Sequence, residues 1–314
     1  MSNNNNEEGK KEPKKETKNL YIIITNSMQN DFIEQVEIET TEDDPWKVGY
    51  EECRNEWISY FKGKKPKGEK DIEDFIKQMK INIPNPKPSE SDISYHEYIK
   101  NYKHRVHIDL KQSERLWNNK NKNRLVNFID DLMVHAKNEN ENIESRDRYY
   151  FIHLRDWHDP SDPDELEELS NFGYHCIKGS RGAEFVKPLR KYIQKHHYDT
   201  FTQIINSNSL SSFRETKLDF ILDSIIENHN SSTEKAIIGV YGVVTNVKLK
   251  LLTFELKVIH KFKYVYLCED LSAAFSQKGQ KEGIDYMKYV LGVNILGEDA
   301  FRKKFKFEKK SNIS

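Results

Sequence analysis

"NLYIIITNSMQNDF", residues 19–32, is the stretch on which the reading of this chain turns. From Leu20 to Thr25 it is β-branched and aromatic, which reads as a strand, and it ends in polar residues that break the run. Five more runs of the same kind follow: "RYYFIHL" (148–154), "FTQIIN" (201–206), "KAIIGVYG" (235–242), "KYVYLCE" (263–269) and "VNIL" (293–296). Between them, apolar residues at three- and four-residue spacings predict helices at 119–137, 184–196, 213–229, 245–260 and 282–290. Strand and helix in alternation require crossover connections, so the expected fold is a three-layer α/β/α sandwich around a mostly parallel sheet. In such sheets ligands bind beyond the C-terminal ends of the strands.

Composition narrows the class. The 314 residues are 32% charged and 11% aromatic with a net charge of -1, and the mean hydropathy is -0.86. No apolar run reaches the length of a membrane span and no signal-like N-terminus is present, so a cytoplasmic location is the default expectation. The near-zero net charge gives no general pull toward nucleic acid. Cys53, Cys176 and Cys268 lie far apart without a CxxC pair, which points to neither a disulfide framework nor a zinc knuckle. The Asn-, Lys- and Glu-rich residues 1–18 read as a disordered tail, and 19–300 as a single domain. The interval 33–103 is too long for an ordinary loop and too poor in apolar residues for a core of its own, so it is taken as an insertion. At the C-terminus "RKKFKFEKK" (302–310) carries six bases against one acid and reads as a solvated tail or helix end, with a docking patch for an acidic partner or phosphates as the alternative; 301–314 is assigned to a basic tail.

Three stretches together resemble the isochorismatase-like hydrolases, the superfamily that includes nicotinamidases. They are "IIITNSMQNDF", then "HLRDWHDPSDPDELEELSNFGYHCIKGSRGAEFVKPL" (153–189), then "NSNSLSSFRETKL" with "IIGVYGVVTNVKLKLLTFEL". The middle one is the most specific, because DWH, HC and GxxGAEF occur in family order. The resemblance covers about residues 19–32 and 104–300 and implies the same α/β/α fold as the periodicity.

It also implies a catalytic aspartate, lysine and cysteine, and none of the three stands here. The aspartate position, two residues before QNDF, is Ser27; the lysine position, four residues before "SSFRETKL", is Ser207; the cysteine position, after "GVVTNV", is Lys248. A serine hydroxyl is no general base at neutral pH. The resemblance places a cis peptide between Val243 and Val244 and a pocket bounded by these residues with Trp157. Cys176 reads as a packing residue rather than a relocated nucleophile, and Arg115 and Trp117 as surface or rim residues.

The metal positions of the family are retained. Asp156, His158 and His175 fall in them, with Glu168 near a fourth, a donor set suited to zinc, iron or manganese; metal-free loop hydrogen bonding is the alternative. Lys248 would sit near a helix start, where a cation is disfavoured unless paired. Its amine is expected either in a salt bridge with an acid such as Glu215 or Asp31, or holding a small anionic ligand, with a Schiff base as a remote third reading. Two functions compete on this sequence. One is an inactive isochorismatase-like pseudoenzyme acting as a binding, sensing or scaffold protein, self-associating or engaging a partner through 33–103. The other is an active hydrolase that uses a metal to activate water.

Overall fold

A computed structural model of the chain describes residues 19–33, 108–116, 124–159, 162, 165–172, 175–179, 182–186, 189–190, 192–193 and 201–308. The 1–18 tail, nearly all of the 33–103 insertion, Cys53, Trp117 and the end of the chain from 309 lie outside the described residues.

Each of the six expected runs forms a strand. They are β1 (Asn19–Asn26), β2 (Asp147–Asp156), β3 (Thr202–Ser207), β4 (Ile237–Val243), β5 (Tyr264–Ala273) and β6 (Asn294–Leu296). They make one sheet in the order β3-β2-β1-β4-β5-β6, and every pairing is parallel. The helices are α1 (Asn30–Ile33), α2 (Leu110–Leu116), α3 (Arg124–Glu141), α4 (Leu166–Phe172), α5 (Leu218–Asn228), α6, α7 (Gln277–Tyr289) and α8 (Glu298–Lys304). α6 has three parts: a wide-turned π segment Thr245–Leu249, an α-helical Lys250–Phe254 and a second π segment Glu255–Ile259. Of the helix expected at 184–196, Leu189, Arg190, Tyr192 and Ile193 are helical and 184–186 are not, and the other six residues lie outside the described residues.

β1 is central, and from Leu20 to Asn26 every residue is buried because helices cover both faces of the sheet. The two-residue period of the strand then sorts its side chains. Tyr21 and Ile23 face a core built with α3 and α8, including Phe128, Leu132, Phe301 and Phe305. Leu20, Ile22 and Ile24 face a second core built with α5, α6 and α7, including Leu222, Leu252 and Met287. The strand order reverses direction at β1 and β4, so the crevice beyond their C-terminal ends is where such a sheet places a site. Among the described residues no helix is long and apolar enough to cross a membrane.

The boundary drawn at residue 300 is corrected by the structure. The basic stretch is not a solvated tail through 307: Phe301, Phe305 and Phe307 are buried in the first core. Three of its bases are committed as well. Arg302 donates from Nη1 to Asp131 Oδ2 at 2.8 Å and from Nε to Glu298 Oε1 at 2.8 Å. Lys304 lies over the Tyr266 ring and Lys306 pairs with Asp147. Charge dominates the sequence there, but the aromatic spacing decides the packing. Arg115 is likewise more than a rim residue. β6 pairs only with Tyr266–Cys268 of β5, and beyond that point the Arg115 guanidinium donates to the carbonyls of Asp270 at 2.6 Å and Ser272 at 2.7 Å, taking the place of a strand.

Removing Arg302 leaves two buried carboxylates without their cation. Arg302→Leu is expected to lower stability by about 3 kcal/mol or more in urea unfolding, whereas Ala at the neighbouring exposed Lys303 should stay within about 0.5 kcal/mol of wild type.

Candidate functional site

Four strand ends converge on one buried cluster. β1 ends at Asn26, and Ser27 turns the chain in the left-handed region (φ 47), its amide donating to Leu154 O at 3.0 Å. β2 ends at Asp156, whose backbone is clamped by the Gln29 side chain. Asp156 N donates to Gln29 Oε1 at 2.8 Å, and Gln29 Nε2 donates to Asp156 O at 2.8 Å and Ala183 O at 2.9 Å. β3 ends at Ser207, in register with Asp156. β4 ends at Val243, where the expected cis peptide to Val244 is found. The first π segment of α6 then brings Lys248 over the ends of β1 and β2.

Lys248 is 4% exposed and its ammonium is fully engaged. Nζ donates to Asp156 Oδ1 and to Ser209 O, both at 2.9 Å, and lies 3.5 Å from Glu168 Oε1. Neither partner expected from the sequence is used. Glu215 is exposed and pairs with Arg214, while Asp31 accepts from the Cys176 amide at 2.8 Å. Burial alone would lower the Lys248 pKa, but the Asp156 and Glu168 carboxylates outweigh it and raise the pKa above the ordinary value. Burial would likewise raise Asp156, yet Lys248 and His175 hold its carboxyl well below the usual range. Ser27 Oγ donates to the same Oδ1 at 3.1 Å and accepts from Asn26 Nδ2 at 3.0 Å. An amine spent on protein oxygens is no free clamp for an anion, so that expectation for Lys248 is withdrawn.

The other face of Asp156 belongs to the metal constellation. One donor atom from each of Asp156, His158, Glu168 and His175 can be chosen so that all lie within 4.8 Å of one another, and the two imidazole centroids are 4.7 Å apart. Asp156 Oδ2, His158 Nε2 and Glu168 Oε1 are buried without a hydrogen-bond partner. Buried polar atoms are rarely left so, and three of them around one point, with His175 Nε2 3.8 Å from Asp156 Oδ2, fit a cation. Glu165, not singled out by the sequence reading, supports the set from behind. Its Oε2 is 3.2 Å from His158 Nδ1 and accepts from Asp159 N at 2.7 Å, which orients the ring so that Nε2 faces the cluster. Burial would raise the Glu165 pKa, but the bonds from His158 and Asp159 hold it lowered. The three-residue step from Glu165 to Glu168 in "DELEE" was its only signal.

The remaining predicted residues divide. Ser207 is buried, but its hydroxyl is used within its own loop, donating to Ser209 O at 3.0 Å and Ser211 O at 3.1 Å; the loop's carbonyl, not the serine, meets Lys248. Val243 O accepts from Asn26 Nδ2 at 2.6 Å, and Val244 O accepts from Leu249 N at 3.1 Å. The Trp157 ring is stacked by the Arg155 guanidinium at 3.9 Å. Cys176 is buried with its Sγ toward Gly182 O.

Asp31 ties these parts together, holding the His175–Cys176 turn through the Cys176 amide while its own amide donates to Gly182 O at 3.2 Å. A Cβ on Gly182 would lie 2.0 Å from Asp31 Oδ2. Gly182→Ala is therefore expected to cost about 1–3 kcal/mol in denaturant unfolding, and to cost less in an Asp31→Ala background, since the clash is then gone.

No family model and no curated protein matches the sequence. Solved structures do. A pyrazinamidase/nicotinamidase from Streptococcus mutans is 20% identical over 56% of this chain and 87% of its own, with a TM-score of 0.43. A nicotinamidase from Bacillus subtilis is 12% identical over 89% of this chain and 100% of its own, with a TM-score of 0.48. An isochorismatase-like hydrolase from Alkaliphilus metalliredigens is 14% identical over 91% and 99%, with a TM-score of 0.43. At these identities the likeness concerns the fold alone, and it is to nicotinamidases and isochorismatase-like hydrolases.

Proposed function

We propose that this chain is a catalytically silent protein of isochorismatase-like fold that works by binding, as a scaffold or regulatory component. One observation carries the reading. At the position where the sequence resemblance expects the nucleophile, the Lys248 amine is held as an ammonium between Asp156 Oδ1 and the Ser209 carbonyl. A protonated, doubly bonded amine has no lone pair to offer a carbonyl. Ser27 is no better placed, because the carboxylate it faces is paired to Lys248 and held at low pKa, which makes it a weak base. Two carboxylates (Asp156, Glu168) lie against the one ammonium and a third, Glu165, backs His158, so the site is acidic in balance and suits a cation rather than a small anion.

A metal-assisted hydrolase is the second reading, favoured by the three buried atoms that converge without hydrogen-bond partners. Asp156, His158, Glu168 and His175 would hold the ion, and a bound divalent metal supplies Lewis acidity and an activated water. Four protein donors fill a tetrahedral ion, however, whereas catalytic zinc keeps a position open, so the donor count supports a structural ion. A binding role points to self-association or to a protein partner, with the 33–103 insertion as the surface available for it.

Purified full-length protein, assayed with nicotinamide and with isochorismate in the absence and presence of zinc, manganese or ferrous ion, is expected to show no turnover above the uncatalysed background. Turnover that disappears in Lys248→Met would overturn the proposal; turnover that instead requires metal and is lost with His175→Ala would establish the second reading.

A further inference from the structure

We infer that the Lys248 ammonium is the resident cation of the Asp156–His158–Glu168–His175 cluster and sets how tightly that cluster holds a divalent ion. The inference rests on the cluster's geometry and not on catalytic silence, so it stands or falls independently of the turnover assay.

The ammonium and an ion would draw on the same two carboxylates. Lys248 Nζ is 2.9 Å from Asp156 Oδ1 and 3.5 Å from Glu168 Oε1, and both carboxylates are donors of the cluster. The atoms without hydrogen-bond partners, Asp156 Oδ2, His158 Nε2 and Glu168 Oε1, show where the second cation would sit. Lys248, Asp156 and His158 are all buried, so little water screens one charge from the other. Two opposing effects follow. The surplus of negative charge, three carboxylates against one ammonium, draws a divalent ion in. The fixed ammonium repels it and lowers the charge on two of its donors. Replacing the lysine by a neutral side chain removes the repulsion and leaves the contacts that hold Asp156, His158 and the His175 turn in place.

The chain also contains what is needed to hold the donors while the cation changes. Gln29 fixes the Asp156 backbone, Glu165 fixes His158, and Asp31 fixes the turn that carries His175. None of the three contacts involves Lys248. Three of the four donors are thus held by contacts other than Lys248, and the loss of its ion pairs is read in the metal-free unfolding midpoint.

The test is isothermal titration of metal-stripped, full-length wild type and Lys248→Met with zinc chloride, with thermal unfolding read alongside. Lys248→Met is expected to bind one zinc at least about tenfold more tightly than wild type, because a unit charge only a few ångströms away in a weakly screened site is worth at least that much. Its midpoint should be lower than wild type without metal and recover on adding zinc, which wild type would show to a smaller degree. Adding His175→Ala should abolish the gain. Equal or weaker zinc binding by Lys248→Met, no binding by either protein, or a gain that survives His175→Ala would each overturn the inference. If the methionine variant does not fold, Lys248→Gln carries the same comparison, since it keeps a neutral donor toward Asp156 and the Ser209 carbonyl.

Discussion

The site is organised around a single carboxylate used on both sides. Asp156 Oδ1 accepts from Lys248 and Ser27, while Oδ2 faces His175 and the cluster. A buried carboxylate costs several kcal/mol unless it is paired and hydrogen-bonded, and here the pair comes from a different strand connection than the acid itself. The end of β2 supplies the anion, the segment after β4 supplies the cation, and β1 between them supplies Ser27 and the Gln29 clamp. The ends of the three adjoining strands are therefore joined by electrostatics as well as by the ladder. Removing either charge would leave the other buried and unpaired.

The same constraint explains how a lysine is tolerated in the first turns of α6. A helix start offers unpaired amide groups and a partial positive charge, so a cation there needs compensation. Two carboxylates and a carbonyl provide it. The wide π turn is part of the arrangement: Leu249 N reaches back to Val244 O, five residues earlier, and that extra residue per turn sets where Lys248 emerges.

Much of this was legible in the sequence, and what was not has definite physical causes. The strands were readable because β-branched runs alternate with helical spacings, and the four metal-site candidates because the family resemblance places its metal positions on Asp156, His158 and His175, with Glu168 near a fourth. The partner of Lys248 was not readable. Glu215 and Asp31 lie near the motif in sequence, but partnership is decided by strand order and register, which place the end of β2 beside the ends of β1 and β3. In "RKKFKFEKK" the expected helix end is present, but the burial around it was not readable for a related reason. Its bases outnumber its apolar residues, yet Phe301, Phe305 and Phe307 are what the open end of the first core accepts, and Asp131, Glu298 and Asp147 on that side absorb the charge. Composition counts charges without saying which acids wait for them.

Relative to the pattern implied by the sequence resemblance, the chain lacks an acid at 27 and a base at 207 and has a base at 248. One positive charge is thus present in either arrangement, but its position changes what the site can do. A lysine beyond β3 could leave the Asp156 carboxylate and the start of α6 open to a substrate. At 248 the ammonium fills the helix start, occupies Asp156 Oδ1 and ties down the loop after β3 through Ser209. Relative to that pattern, Lys248 stands where the resemblance expects a cysteine and pairs the buried Asp156. The buried atoms it leaves without a hydrogen bond are Asp156 Oδ2, His158 Nε2 and Glu168 Oε1. On the reading proposed above, this site holds a cation rather than a substrate, and Lys248 limits how strongly that cation is held.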